Sequence, residues 1–234
     1  MSLERFFTRE EMDHALFLVA KEYKRIAGRK AKAEIVLVGG AAILANHSFR
    51  QATMDIDAYT IADRDLKMAI THVADAEGYP GDWLNDDFIE TESFSSKLVY
   101  FSIPYKTFAN CLEVRVLPPV YLLATKLAAW RPYKHDRSDA LSIINELKGH
   151  DSALTFEQIV SAFEDLYGDV SRMKVDESTL RGMIDSCNED LIADYDEREK
   201  RIAELVRSSL AEEKEKGKTA NIADIISQIE KREK

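Results

Sequence analysis

The run Val36-Leu37-Val38 meets Gly39-Gly40, and after fourteen intervening residues the chain reads Asp55-Ile56-Asp57. This arrangement constrains the fold more than any other part of the sequence. The apolar run has the character of a strand. Ala41-Ala42-Ile43-Leu44-Ala45 reads as a short helix of small residues, and the two carboxylates sit on a second strand. Side chains alternate along a strand, so Asp55 and Asp57 point the same way, about 7 Å apart. Such a pair suits hard divalent ions, since magnesium is typically held by one or two carboxylates together with substrate phosphates. A phosphate has a seat beside it. Glycine permits close backbone approach, and the helix start near Ala41 turns N–H groups toward an anion. A Gly-Gly turn or an Asp-x-Asp alone is common in acidic chains; their combination in a strand–turn–helix–strand context is the informative signal.

The residues Gly39, Gly40, Arg50, Thr53, Asp55 and Asp57 resemble the first motif of the nucleotidyltransferase superfamily of DNA polymerase β. The likeness is to the minimal bacterial branch that includes the AbiEii-type toxins of type IV toxin–antitoxin pairs. That branch carries Gly-Gly or Gly-Ser, a short helix, then Arg-x-Ser/Thr-x-Asp-hydrophobic-Asp. Here Gln51 and Ala52 separate Arg50 from Thr53, one residue more than the pattern has. Gly40 stands where many members have serine, which leaves more of the phosphate binding to backbone amides. The resemblance spans residues 34–147 and implies catalytic and metal-binding roles for Asp55 and Asp57, with nucleotide contacts from Gly39, Gly40 and Thr53.

It also implies a third carboxylate on a later strand. Glu113 in the alternating run of residues 110–117 is the candidate, as a further metal ligand and as acceptor of the attacking hydroxyl's proton. Taken alone, Glu113 reads equally well as the exposed face of an amphipathic strand. Beyond Pro118-Pro119, apolar spacing predicts a helix over 120–131. Lys126 on it matches the family's phosphate-binding lysine, or is a solvated helix lysine. Asp136 and Asp139 match a supporting motif, or are acids favoured at a helix N-terminus. Arg131, Lys134, His135 and Arg137 form the strongest local basic patch for a polyanion.

The resemblance implies a mixed α/β (α+β) fold, with a small nucleotidyltransferase sheet flanked by helices over residues 1–150. A helical C-terminal subdomain follows over 151–234. The implied reaction moves a nucleoside monophosphate from a nucleoside triphosphate to an acceptor hydroxyl, with Mg2+ or Mn2+ as cofactor. The acceptor is RNA (a tRNA end), a protein or a small molecule, and an antitoxin protein is the partner the toxin branch implies. The alternative is a catalytically silent nucleotidyltransferase-like module that binds a protein partner. Convergence of Asp55, Asp57 and Glu113 on one cleft separates the two readings.

Charge is uneven along the chain, whose net charge is −10. Residues 151–234 carry 13 Lys/Arg against 21 Asp/Glu, and the first 150 carry 19 against 21. The C-terminal part repels phosphate, so an RNA substrate must meet a local cluster of cations. Arg25, Arg29, Lys30 and Lys32 form a basic stretch before the first strand. No apolar run approaches a membrane span, and Cys111 and Cys187 read as thiols of a reduced, cytoplasmic protein.

Local signals predict the remaining elements. Thr8 and Glu11 form a capping box for a helix to Ala27, and Thr155 with Gln158 forms another before residues 159–167. Strands are expected over 34–39, 54–59, 98–103 and 112–117, and a helix over 63–76. Residues 80–92, with Trp83, read as a loop-rich acidic region with a short helix near the mouth of the site. Helices are expected over 140–148 and, as one or two charged helices, over 177–215. Ile222, Ile225, Ile226 and Ile229 form a terminal apolar stripe that needs a surface to cover.

Overall fold

The computed structural model describes residues 6–60, 64–148, 153–215 and 221–232. The chain divides into two compact units: Met1–Thr125 with Glu157–Arg172, and Lys126–Phe156 with Met173–Lys234.

The first unit opens with α1 (Arg9–Ala27), and the capping box is present as expected. The Thr8 hydroxyl accepts from the Glu11 N–H at 3.3 Å while the Glu11 carboxylate accepts from the Thr8 N–H at 2.9 Å. Met12, Ala15, Leu16, Val19, Ala20 and Tyr23 are buried, the spacing of one helix face. The chain continues through β1 (Ala33–Leu37), α2 (Gly39–Asn46), β2 (Ile56–Thr60), α3 (Arg64–Glu77) and β3 (Leu84–Asn85). A 3-10 turn (Asp87–Glu90) precedes α4 (Leu98–Phe101), β4 (Ile103–Phe108), β5 (Leu112–Val116) and α5 (Pro119–Ala129). The five strands form one mixed sheet in the order β3-β2-β1-β5-β4. β1 is antiparallel to β2 and parallel to β5, and β4 and β5 form an antiparallel hairpin. Ile35, Leu37, Ile56, Ala58, Leu112, Val114 and Val116 are each at most 2% exposed and make the buried face of the sheet. This is the mixed α+β architecture the sequence implies.

Two expectations for this unit are corrected. Residues 98–101 are helical, and the strand expected at 98–103 begins only at Ile103. The hairpin turn decides this. Ala109 and Asn110 both have positive φ, 47° and 54°, and Cys111 N–H bonds back to Phe108 O at 3.0 Å, a two-residue turn matched to strand twist. Counting back from that turn, the partners of β5 run out at Ile103. Trp83 is 1% exposed and packs on Phe7 and Tyr79, with ring centroids 5.8 and 4.8 Å away, so it belongs to the core. Helix α7 (Phe156–Tyr167) follows the second capping signal. Its C-terminal end is fastened in the same unit by Ser95 Oγ to Leu166 O (2.6 Å), Tyr167 OH to Ser93 O (2.7 Å) and Tyr121 OH to Asp165 (2.9 Å).

The second unit is built from α6 (Asp136–Leu147), α8 (Glu177–Ser186), α9 (Glu189–Glu215) and α10 (Ile222–Arg232). The 177–215 region is two helices. Asp176 caps α8 by accepting from Thr179 N–H, and Asn188 accepts from Leu191 N–H at 2.8 Å to restart the chain as α9. The terminal stripe finds its surface within this unit. Ile225 and Ile229 are buried with Val206, and Ile202, Leu210, Ile222, Ile226 and Tyr133 pack around them. Among the described residues, no helix is long and apolar enough to cross a membrane.

Candidate active site

Val38 ends β1 with its N–H on Asp57 O at 3.0 Å, and the next two residues open α2. Gly39 has φ +54°, a conformation that penalises a side chain. A Cβ on Gly39 would lie 2.7 Å from the Asp57 Oδ2 carboxylate oxygen. On Gly40 it would lie 2.7 Å from Arg50 Nη1 and 2.8 Å from Thr53 Oγ1. Bare backbone therefore faces Asp57, Arg50 and Thr53. The N-cap residue, Val38, makes no side-chain cap bond, and the first N–H groups of a helix point toward its N-terminal end, here the turn. At its other end α2 is held by Arg9, which donates to Leu44 O (2.8 Å) and His47 O (2.9 Å), and by Asn46 on Leu117 O (2.8 Å).

The Arg50–Asp57 stretch is pinned on both sides. Thr53 exchanges backbone hydrogen bonds with Phe7 at 2.7 and 3.0 Å, and Ile56 N–H bonds to Trp83 O at 2.8 Å. Ile56 is fully buried, so Asp57 beside it in β2 faces the other way. Asp55 instead lies in a bend, because the strand expected from residue 54 begins only at Ile56. Asp57 is half-buried in β2, and Asp55, just before the strand, is exposed. The structure thus gathers Gly39, Gly40, Arg50, Thr53 and Asp57, with Asp55 next to them in the chain. The extra residue between Arg50 and Thr53 does not remove Arg50 from the turn.

Glu113 is not brought to this pair. It shares the sheet face of Asp57, but in-register pairing of β1 with β5 sets it opposite Glu34. Asp57 lies level with Val38, four residues further along β1, or about 13 Å at the usual rise. The Glu113 carboxylate accepts from Arg115 Nη1 at 2.8 Å, and Arg115 also holds Ser102 Oγ (2.8 Å) and Ser102 O (2.5 Å). Among the described residues, no three His, Cys, Asp or Glu side chains gather as a metal-binding group.

Lys126, Asp136 and Asp139 lie together in the second unit. Lys126 Nζ is 3.1 Å from Asp136 and 2.8 Å from Asp139, and all three are buried. Arg131 adds its backbone N–H (3.1 Å) and Nε (2.8 Å) to Asp136. Burial alone would raise the Asp136 carboxyl, but the Lys126 ammonium and the Arg131 guanidinium outweigh it and hold it at about 2. Lys126 is thus a buried, ion-paired lysine and not a solvated one. Most of the expected basic patch is likewise engaged: Arg131 by Asp136, His135 by Asp196 at 3.0 Å, and Arg137 over the Trp130 ring at 5.5 Å.

Glu199, unmarked in the sequence reading, completes this cluster. It is 2% exposed and accepts from Arg137 N–H (2.9 Å), Ser138 N–H (3.1 Å) and Ser138 Oγ (2.6 Å). These bonds cap α6 and explain why it starts at Asp136, four residues before the expected 140. Only the spacing of Glu199 from Ile202 and Val206 places it on the buried face of a helix charged all round. Burial, opposed by those donors and reinforced by Asp139, pushes its carboxyl up to about 7. The folded chain therefore keeps a proton that the unfolded chain releases near pH 4.5. Stability from this group is full below that pH and falls as pH rises through 7, by about 3 kcal/mol in all. Urea unfolding at pH 5 and pH 7.5 checks this. Glu199→Gln should lose less stability than the parent between those two conditions, and parallel losses would refute it.

Comparison with known proteins adds one match. Residues 14–147, more than half of the chain, fit a family described as a nucleotidyltransferase of unknown function (DUF6036). No curated protein and no solved structure matches. The matched segment takes in the Gly39-Gly40 turn and both aspartates, and on its extent the chain belongs to this nucleotidyltransferase family.

Proposed function

We propose that the chain transfers a nucleoside monophosphate from a nucleoside triphosphate to an acceptor hydroxyl at the turn bounded by Gly39, Gly40, Asp55 and Asp57. The acceptor oxygen bonds to the α-phosphorus, the bond to pyrophosphate breaks and pyrophosphate leaves, and the hydroxyl proton passes to water. The observation that carries this is the backbone cradle. Neither glycine can bear a side chain without meeting Asp57, Arg50 or Thr53. In this reading the N–H groups at the start of α2 hold a phosphate. Arg50 offsets its charge beside Gly40, and Thr53 offers a hydroxyl to it.

The residues fit magnesium or manganese as two carboxylates on either side of Ile56, one in β2 and one in the bend before it, which is the usual protein share of such a site. Asp55 and Asp57 would hold the ion. When bound, it would neutralise phosphate charge and lower the pKa of the acceptor hydroxyl. Asp57, half-buried against Gly39, orients the phosphate end, and exposed Asp55 leaves that side open to an acceptor. The toxin-like role is proposed from the residue 39–57 pattern alone, and with it an antitoxin partner.

One observation favours the second reading, a binding module without transfer. Glu113 stands apart from the aspartates, so it is not placed to receive the hydroxyl proton. Incubation with each α-phosphate-labelled nucleoside triphosphate, magnesium and bulk tRNA or lysate separates the two. Label appearing on a macromolecule, and lost with Gly39→Ala, supports transfer. Nucleotide binding without transfer to any acceptor supports the module.

A further inference from the structure

We propose that the groove between the C-terminal half of α1 and the β4–β5 turn docks the sugar–phosphate backbone of a folded RNA. This inference rests on the transfer reading, because it names the class of acceptor. The groove, of about 580 Å3, is lined by Phe17, Lys21, Lys24, Arg25 and Arg29 with the Ala109-Asn110 turn. Residues 21–32 hold six Lys or Arg against one carboxylate, Glu22, in a chain whose net charge is −10.

The neighbours of these cations leave most of the charge in place. Lys24 donates to Ala109 O at 3.0 Å and Lys32 to Asn110 O at 2.8 Å. Both partners are neutral carbonyls, so both ammonium charges stay uncompensated. Arg25 pairs with Glu22 at 2.6 Å, and Glu22 also meets His72 at 2.7 Å. Cations are favoured at a helix C-terminus, which accounts for Lys24 and Arg25 in the last turn of α1. It does not account for Lys21, Arg29, Lys30 and Lys32. The contrast is with residues 131–137, where Arg131 and His135 face carboxylates.

Two further features fit RNA. Phe17 is 39% exposed with Lys21 Nζ 5.5 Å from its ring centroid, a face on which an unpaired base can stack. The Asn110 carboxamide at the exposed turn carries a donor and an acceptor, which suits a 2′-hydroxyl. Position fits as well. The turn lies beside Ala33, whose N–H bonds to Cys111 O, and β1 runs from there to Val38 and the Gly39-Gly40 turn. That is about 17 Å at the usual rise per residue, a span of less than one turn of a duplex. A stem held in the groove would present its single-stranded end toward the aspartates.

The test uses the full chain and a labelled RNA hairpin with a single-stranded 3′ tail, followed by fluorescence polarisation over a series of salt concentrations. Lys21 and Arg29 are exposed, so Lys21→Glu with Arg29→Glu leaves the core alone. The double variant should bind at least tenfold more weakly, with a salt slope shallower by about 1.5, two phosphates' worth. Its magnesium-dependent nucleotide affinity should stay at the parent value. Parent-like RNA binding in the variant, or equal affinity of the parent for a DNA hairpin of the same sequence, would overturn the proposal. Groove-dependent RNA binding with no nucleotide binding would uphold it and count against the transfer reading instead.

Discussion

Lys126→Met should destabilise the chain by about 3–5 kcal/mol, the usual cost of removing one partner from a buried ion pair. The substitution keeps the length and apolar stem of lysine, so the loss reports charge and not volume. Asp139 is 4% exposed and Asp136 is fully buried. Asp136 keeps Arg131, whereas Asp139 loses the ammonium 2.8 Å away. Lys126→Met with Asp139→Asn should recover part of the loss, because the second change removes the charge left uncompensated. Urea unfolding of the parent, the two single variants and the double variant measures this coupling. A Lys126→Met protein that unfolds at the parent's midpoint but binds nucleoside triphosphate more weakly would instead put the ammonium on a phosphate.

What the sequence discloses divides by the range of the forces involved. The capping box at Thr8 and Glu11, the Gly39-Gly40 turn and the alternation around Ile56 are local, and each is present in the structure. The turn is legible because positive φ and close approach both demand glycine, and no distant partner is needed to see it. Arg50 and Thr53 join it despite an altered spacing, because an irregular segment absorbs a residue that a strand or helix could not.

Long-range pairing is where the reading misses. Glu113 has the right face and the wrong level, and the level is set by how β5 registers on β1, information no single strand carries. The 98–103 run has strand composition, but the Ala109-Asn110 turn determines where its strand begins. Lys126, Asp136 and Asp139 follow a motif spacing that fits either a phosphate site or an ion cluster. Only the contact across ten to thirteen residues of chain decides between them. Glu199 lies sixty residues from the helix it caps, inside a stretch so rich in charge that composition hides the one buried acid. The basic residues at 21–32 are visible in the sequence, but the groove they line exists only once the hairpin turn packs beside α1.

Asp55→Asn with Asp57→Asn should abolish magnesium-dependent nucleotide binding and leave the fold intact. Neither side chain is part of the buried face, and each substitution keeps the shape of the side chain. The double variant should therefore still unfold cooperatively in chelator. With magnesium present, its affinity for a nucleoside triphosphate should fall by more than about a hundred-fold, on the order of 3 kcal/mol. Isothermal calorimetry of both proteins, titrated with each nucleoside triphosphate in magnesium and again in chelator, measures this directly. The account predicts heat of binding only for the parent in magnesium. Equal, magnesium-dependent binding by the folded double variant would contradict it and move the nucleotide site away from the Gly39-Gly40 turn.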